Sequence, residues 1–320
     1  MQQYAILTLI RHAETTGNLN RLLQGVTDSP VTVFGQAQID ALARTWSTTR
    51  TVTAQGAADD VKFVKEAVVS KLDLPPPTLI VCSPIGRARK TAEAVHRACT
   101  STEQQSAGIS EDAIAEGSRA TLASDLHSKP GLPLVIDPGL KEKDFGWKES
   151  TRGGVHVAGF PKGHGNGESR TDFAARVYKV GLEWLNAASV LGFSPSSEAD
   201  PTSVPHIVLV SHGMWISTFL SAHPPTTITQ AMGQPTYLPF AANTGMFSLK
   251  VHPRTPEAVT TRPVTELFKA NDIRHLEHVK RQKGGIGRGA FDSKQTKLSS
   301  FFAKPAKEEQ EASPTKKRKM

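Results

Sequence analysis

Histidine and arginine side chains follow the predicted strands of this sequence at three places. Arg11 and His12 stand side by side near the N-terminus, Arg87 follows a second apolar run, and His212 follows another. Two imidazoles among guanidinium groups suit a phosphate better than a metal ion, because the arginines would repel a cation. The residue types therefore predict a site for an anionic, phosphate-bearing ligand.

The elements that must position these residues alternate between strands and helices. Five short apolar, β-branched runs are typical of buried strands: residues 4–10, 78–82, 134–136, 206–210 and 245–251. Helical patterns lie between them at residues 32–47, 86–98 and 171–191. This alternation predicts an α/β fold of three layers, with a mostly parallel central sheet flanked by helices. In such a sheet the ligand crevice lies at the carboxyl ends of the strands, where the histidines and arginines would meet.

The net charge of the chain is unevenly distributed. The 320 residues carry a formal net charge of +8, but residues 269–320 hold 14 basic and 6 acidic side chains, so residues 1–268 are neutral overall. An apolar content of 38% excludes a fully disordered chain, and no run approaches the roughly 20 apolar residues of a membrane span. The first ten residues lack a secretory layout, and two cysteines, Cys82 and Cys99, favour a reduced cytosolic or nuclear setting.

These patterns divide the chain into a catalytic domain, residues 1–268, and a basic, largely disordered tail, residues 269–320, with one helical piece at about 271–280. Polar stretches without a sustained apolar period are predicted as surface insertions at about residues 48–73, 101–130 and 194–205.

The strand ends resemble the motifs of the histidine phosphatase (phosphoglycerate mutase-like) superfamily. Residues 11–18, Arg-His-x-Glu-x-x-x-Asn, resemble its first histidine motif. Residues 83–92 resemble the second arginine motif of this superfamily, residues 140–146 its acid motif, and residues 210–213 its second histidine motif. Further segments resemble other parts of the family pattern, and all the matches occur in the family's order along the chain: residues 23–32, 34–37, 167–169 with Arg176, and 243–244. The resemblance runs from about Leu7 to Val251 and implies a phosphoglycerate mutase-like fold.

The resemblance also implies a role for each residue. His12 would be the nucleophile that accepts the phosphoryl group, and Glu142 the general acid and then the general base. Arg11, Arg87 and His212 would hold the phosphoryl oxygens, so no metal or other cofactor is expected. Further substrate contacts are expected from Asn18, Gln24, Gly25 and Gly213. A raised pKa is expected for Glu142, through crowding by the negative charge of the phosphate.

Departures from the family pattern leave the activity open. Asp144 and Glu149 lie in the same motif as Glu142 and are rival carboxylates, and residues 151–167 do not resemble the longer substrate segment of the mutases. We therefore expect a phosphatase whose substrate is a phosphorylated small molecule or a phosphoprotein. Two alternatives remain: a phosphoglycerate mutase-type phosphotransferase, and an interaction protein with an incidental or inactive phosphatase core.

The tail contains a second motif. Residues 295–302, Q-x-x-L-x-x-F-F, resemble the box by which proteins bind the eukaryotic sliding clamp, proliferating cell nuclear antigen (PCNA). One 3₁₀ turn would place Leu298, Phe301 and Phe302 on one side as an apolar plug, with Gln295 reaching a polar pocket. The alternative is a terminal helix that folds back and buries the two phenylalanines.

A basic run ends the chain. Residues 316–319 resemble a short nuclear import signal, and they are Lys316, Lys317, Arg318 and Lys319. We therefore expect a nuclear protein, with or without a cytoplasmic pool, whose tail contacts the clamp and an import receptor. Neither direct nucleic-acid binding nor membrane binding is expected.

Overall fold

The computed structural model describes residues 4–46, 73–100, 118–193, 204–229, 238–254, 262–282 and 288–292. Several predicted segments lie outside these residues: the clamp-binding box, the import signal, nearly all of the insertions at 48–73 and 194–205, and residues 101–117 of the insertion at 101–130.

One seven-stranded sheet forms the centre of the molecule. In chain order its strands are β1 (Ala5–Arg11), β2 (Leu79–Cys82), β3 (Leu134–Ile136), β6 (His206–Ser211), β7 (Thr227–Ile228), β8 (Met246–Val251) and β9 (Thr265–Asp272). Their spatial order is β3-β2-β6-β1-β8-β9-β7. Neighbours pair in parallel except at β8, which runs antiparallel to both β1 and β9. Two short strands, β4 (Thr151–Arg152) and β5 (Val155–His156), form a separate hairpin.

Helices cover both faces of the sheet. They are α1 (Thr16–Leu19), α2 (Val33–Thr45), α3 (Gly86–Cys99), α4 (Arg119–His127), α5 (Arg170–Phe193) and α6 (Gly213–Ala222). Successive side chains of a strand point to opposite faces, so Leu7 and Leu9 pack with α5 and α6, whereas Ile6 and Ile10 pack with α2 and α3. The predicted three-layer α/β fold with a mostly parallel sheet is confirmed. None of the helices in the described ranges is long and apolar enough to cross a membrane.

The five predicted strands and three predicted helices are present, with ends that differ by one or two residues. Helix α4 is a correction, because it lies inside the stretch predicted as a polar insertion at 101–130. Its first residue, Arg119, bonds the buried carboxylate of Asp137 through Nε and Nη2 at 2.8 Å each, and also bonds Glu183. Contacts between distant residues, not the local apolar pattern, therefore stabilise this helix.

The predicted boundary at residue 268 is also corrected, because it falls within β9. Leu267 and Thr265 of this strand are buried against β8. The helix predicted at about 271–280 is wrong: the strand continues to Asp272, and a single 3₁₀ turn follows at Arg274–Leu276.

Beyond β9 the described chain contacts the catalytic domain at several points, and we call residues 273–282 and 288–292 the strap. Arg274 Nη1 pairs with Asp73 at 3.3 Å. His275 Nε2 lies 2.9 Å from Thr244 Oγ1. Arg281 donates to both carboxylate oxygens of Glu14, at 3.1 and 2.5 Å. Residues 288–292 pair with residues 31–33, where Phe291 N donates to Val31 O at 2.8 Å and Val33 N to Gly289 O at 3.0 Å. These parts of the predicted tail are therefore packed against the catalytic domain.

Candidate active site

The sheet brings the predicted chemical residues together because β2, β6 and β1 are neighbours and run parallel. Their carboxyl ends open on one pocket of about 280 Å³. Seven of the residues predicted for catalysis or substrate contact line it: Arg11, His12, Asn18, Gln24, Arg87, Glu142 and Gly213. His212 lies beside His12, with 5.2 Å between the ring centroids, and Gly25 contacts Arg87.

The protonation of His12 follows from its neighbours. Its Nδ1 lies 2.8 Å from the carbonyl oxygen of Ala13, and because a carbonyl can only accept, Nδ1 carries the proton. Nε2 is therefore left with a lone pair, and Arg87 Nε donates to it at 3.3 Å. Burial, and then the charges of Arg87 and Arg11, hold the pKa of His12 well below its usual value. The imidazole is therefore neutral, and its Nε2 is unprotonated, as a nucleophile must be.

His212 is held in a complementary way. Its Nε2 lies 2.8 Å from Ser83 Oγ, and that hydroxyl oxygen also accepts the backbone N–H of Ile85 at 3.3 Å. Burial, with the charge of Arg87 second, holds the pKa of His212 well below its usual value. The Ser83 hydroxyl can donate its proton to Nε2, which places the imidazole proton on Nδ1, and Nδ1 is buried without a partner in the described part of the chain. Since an unpaired buried donor costs about 1–3 kcal/mol, this N–H is suited to a ligand oxygen.

Arg87 is completely buried at the first turn of α3 and is fixed by backbone carbonyls. Its Nη2 donates to Gly25 O at 2.6 Å and its Nη1 to Thr27 O at 2.9 Å. Asp28, at 3.5 Å, supplies the nearest negative charge, and its carboxylate also accepts the backbone N–H of Arg87. Burial lowers the pKa of Arg87, but a guanidinium starts from so high a value that it stays charged.

Arg11 ends β1 and is the second cation of the pocket. Its Nη1 donates to Ala241 O at 2.8 Å, and its Nε is buried without a partner among the described residues. Burial lowers its pKa, and the Glu142 carboxyl opposes this shift. The guanidinium passes close to the start of α6, where a Cβ on Gly213 would lie at an ordinary van der Waals distance of 3.4 Å from Arg11 Nε.

Glu142 is the carboxyl group that faces the pocket. Its Oε1 and Oε2 accept the backbone N–H groups of Lys143 and Met214, both at 3.0 Å. Burial raises its pKa in spite of these two bonds, which is the predicted direction with a different cause from the expected phosphate charge. The rival Asp144 does not line this pocket, and it accepts the backbone N–H of Gly146 at 2.7 Å.

Glu149, the other rival carboxylate, holds a loop in place. Its Oε1 accepts the N–H groups of Val26 and Phe145 at 2.9 and 3.0 Å, and its Oε2 accepts that of Thr27 at 2.6 Å. A Cβ on Gly25 would lie 2.0 Å from Glu149 Oε1, which accounts for the glycine. Glu149 is therefore a positioning residue for the loop whose carbonyls hold Arg87.

Arg176 fixes the segment that carries Glu142. Its Nη1 donates to the carbonyls of Gly139 and Lys141, both at 2.9 Å, and its Nη2 to that of Glu142 at 3.3 Å. Glu168 pairs with the same guanidinium at 2.8 and 2.9 Å. The sequence motifs located Arg176 but gave it no role.

Amide side chains fix the backbone of His12. Asn243 Nδ2 donates to the His12 carbonyl at 3.0 Å and to Asn18 Oδ1 at 3.3 Å. Gln24 Oε1 accepts the hydroxyl of Thr15 at 2.8 Å. Asn18 and Gln24 thus line the pocket as predicted and also brace the loop after β1, whereas Asn243 was located by sequence without a function.

Known proteins resemble this chain in one segment of sequence and in fold. Residues 7–55 match the family model of the Histidine phosphatase superfamily (branch 1). The solved structure of mycobacterial hydrolase 1 aligns with a TM-score of 0.50 at 21% identity, covering 84% of this chain and 99% of that one. The structure of mycobacterial hydrolase 2 aligns with a TM-score of 0.48 at 20% identity, covering 84% of this chain and 92% of that one. The structure of a mycobacterial glucosyl-3-phosphoglycerate phosphatase aligns with a TM-score of 0.47 at 20% identity, covering 84% of this chain and 99% of that one.

No curated protein sequence gives a significant match. The alignment with mycobacterial hydrolase 1 shows the fold, and the match over residues 7–55 supports the histidine phosphatase superfamily.

Proposed function

We propose that this protein is a phosphatase that hydrolyses a phosphomonoester through a phosphohistidine on His12. One observation carries the proposal. His12 is buried and neutral, and its Nδ1–H donates to Ala13 O. The lone pair of Nε2 therefore lies beside the buried guanidinium of Arg87.

In the first step His12 Nε2 attacks phosphorus, the N–P bond forms, and the bond from phosphorus to the ester oxygen breaks. Arg11, Arg87 and the Nδ1–H of His212 bind the non-bridging oxygens and stabilise the charge of the transition state. Protonated Glu142 donates its proton to the departing oxygen, for which its raised pKa is suited.

In the second step water attacks the phosphohistidine. Glu142, now ionised, accepts a proton from the water, the N–P bond breaks, and inorganic phosphate leaves with His12 neutral again. Throughout, the proton stays on His12 Nδ1 and is donated to the carbonyl oxygen of Ala13, so the positive charge that develops on the ring meets the negative end of a backbone dipole.

Hydrolysis of phenyl phosphate in the presence of EDTA tests this proposal. We expect turnover without added metal, because guanidinium groups neutralise the phosphate, and no turnover in His12→Ala. His127→Ala, which changes an exposed histidine of α4, is the matched control and should retain full activity. Turnover in His12→Ala equal to that of the unchanged protein would reject His12 as nucleophile.

The two alternatives make different predictions in the same assay. A phosphotransferase of the mutase type would move phosphate within a phosphoglycerate faster than it releases phosphate to water. An interaction protein with an inactive core would release none from any ester. The intact arrangement of His12, Arg87 and Glu142 favours hydrolysis over the second alternative.

We also propose that the tail tethers the enzyme to the sliding clamp. The support is the sequence of residues 295–302 and the position of the strap, whose last described residue, Asp292, stands three residues before Gln295. A peptide of residues 294–304 should bind the clamp, and Phe301→Ala with Phe302→Ala should abolish binding. Equal titration curves for the two peptides would reject the motif.

Nuclear import through residues 316–319 is a separate proposal that rests on sequence alone. A fluorescent fusion of the full chain should accumulate in nuclei. Replacement of Lys316, Lys317, Arg318 and Lys319 by alanine should distribute it through the cell, and an unchanged nuclear signal would reject this motif.

A further inference from the structure

The mouth of the active-site pocket is apolar. Beside the residues that face the phosphate, the lining consists mainly of the side chains of Leu22, Leu23, Phe145, Met214, Phe240 and Ala241. Asn18, Gln24 and Ser217 are the uncharged polar residues among the described residues that line the pocket. The phosphate end and the leaving-group end of the pocket therefore differ in chemistry.

Several of these apolar residues are fixed by bonds to the catalytic groups. Met214 donates its backbone N–H to Glu142, and Ala241 accepts from Arg11 through its carbonyl. Leu23 is paired through its backbone with the start of β4, where Leu23 N donates to Thr151 O at 3.0 Å. The apolar wall is thus formed before any ligand binds, as in most small-molecule sites.

Positive charge at the pocket is limited to the phosphate end. Arg11 and Arg87 are the cations among the described residues that line it, and both donate to backbone carbonyls as well. The ammonium group of Lys143 lies 5.4 Å from the ring centroid of Phe145, but it bonds the carbonyl oxygen of Glu168. A carboxylate or second phosphate on the leaving group would lose much of its hydration against apolar walls without gaining a charged partner among the described residues.

Two large apolar side chains of the mouth remain in contact with solvent. Phe240 is 89% exposed and Met214 40% exposed. A flat apolar group seated beside them would remove both from water, and aromatic rings make favourable contacts with phenylalanine rings and with methionine sulfur.

From these observations we propose that the substrate is an aryl phosphate, whose uncharged aromatic leaving group packs on Phe240 and Met214. This inference rests on the proposed phosphatase function, because the phosphate end must be where we place it. It excludes phosphoglycerates and other esters whose leaving group carries a carboxylate or a second phosphate.

Direct calorimetric titration with non-hydrolysable phosphonates tests binding without turnover. Phenylphosphonate should bind at least about tenfold more tightly than 2-carboxyethylphosphonate. Phe240→Ala should weaken the affinity for phenylphosphonate by about tenfold and leave the affinity for inorganic phosphate unchanged. Phe193→Ala, which removes a ring 64% exposed at the end of α5, is the matched control and should change neither.

Equal affinities for the two phosphonates, or a Phe240→Ala variant that weakens phosphate as much as phenylphosphonate, would overturn the inference. Failure of hydrolysis with these binding results intact would instead reject the phosphatase function. Two sources of the aryl group are separated by turnover: 1-naphthyl phosphate represents small molecules, and a phosphotyrosine peptide represents proteins. The kcat/KM should be higher for both aryl phosphates than for glycerol 3-phosphate, and the larger of the two values identifies the source of the aryl group. A higher kcat/KM for glycerol 3-phosphate would contradict the proposal.

Discussion

Burial acts on His12 and Glu142 in opposite directions and gives each the protonation state that the reaction requires. It penalises the charged form of both groups, so it lowers the pKa of the imidazole and raises that of the carboxyl. Both shifts favour the neutral forms that the proposed reaction requires, an unprotonated imidazole as nucleophile and a protonated carboxyl as acid. Divergent pKa values of this kind are typical of the acid and base of an active site.

Glu142→Gln tests the acid role through the leaving group. With phenyl phosphate, whose departing oxygen needs a proton, phosphorylation of His12 should slow by about 10²–10⁴-fold. With 4-nitrophenyl phosphate, a better leaving group, the same step should slow far less, as single-turnover kinetics will measure. Equal losses on the two esters would contradict general acid catalysis by Glu142.

The pH profile tests the same residue in the unchanged enzyme. Glu142 donates only while protonated, so kcat/KM for phenyl phosphate should fall as the pH rises through the raised pKa of this group. The alkaline limb should be absent in Glu142→Gln. A limb that persists there belongs to another group, and the assignment would then be wrong.

Sequence motifs predicted residues that line the pocket but not the residues that hold them in place. Arg11, His12, Arg87 and Glu142 occur at fixed spacings after strands, and the sheet brings them to one pocket. The positioning roles of Glu149, Arg176 and Asn243 could not be predicted, because each acts on backbone groups far away in the sequence. For the same reason, only the structure separates Glu142 from its neighbours Asp144 and Glu149.

At the scale of the elements, the strap connects the C-terminal side of the sheet with the loop that carries His12. Arg281 bonds Glu14, two residues after His12, and also lies 4.3 Å from the ring centroid of Phe34. His275 bonds Thr244, whose neighbour Asn243 holds the His12 carbonyl. The composition of this region is polar and basic, which predicted a tail. Its contacts could not be predicted from an apolar pattern, because single polar or charged side chains and a short backbone pairing make them.

Truncation separates the strap from the rest of the tail. A chain of residues 1–292 should keep the kcat and unfolding free energy of the full protein, since it retains all the contacts just described. A chain of residues 1–272 should lose about 1–3 kcal/mol in urea denaturation, and its kcat should fall, because the backbone of the nucleophile loop loses its support. Identical denaturation midpoints and rates for the two chains would show that the strap contributes nothing.

At the scale of the whole molecule, the charge and the strap together define how a partner could be held. Residues 1–268 are neutral, and the excess of positive charge lies after them. From Asp292 to Gln295 the chain can span no more than about 11 Å. A clamp bound to residues 295–302, as we propose, would therefore lie close to the catalytic domain and not at the end of a long tether.

Buried neutral histidines also make the stability of the whole molecule depend on pH. His206 joins three strands: its Nδ1–H donates to Pro75 O at 2.8 Å, and its Nε2 bonds Thr8, which bonds Ser248. Burial lowers the pKa of His206 to about 4. Between pH 6.5 and 4 the unfolded chain binds a proton that the native chain does not, so stability falls as the pH falls through this window.

This lowering of the pKa of His206 corresponds to a loss of about 3 kcal/mol in the free energy of unfolding between pH 6.5 and pH 4. Urea denaturation across this range measures it, and His206→Gln should reduce the slope of unfolding free energy against pH by about one proton. The slope is the informative quantity, because the substitution also changes stability at every pH. An unchanged slope would show that His206 titrates normally in the native state.

The most direct test of the whole account is the site of the covalent intermediate. The full-length protein is mixed with an aryl phosphate, quenched at alkaline pH, and analysed by intact and peptide mass spectrometry. We predict one added phosphoryl group, lost in acid, on the peptide that contains His12, with a larger yield in Glu142→Gln and 4-nitrophenyl phosphate as substrate. A phosphoryl group on another residue, or steady turnover by His12→Ala with no adduct in either protein, would contradict the account.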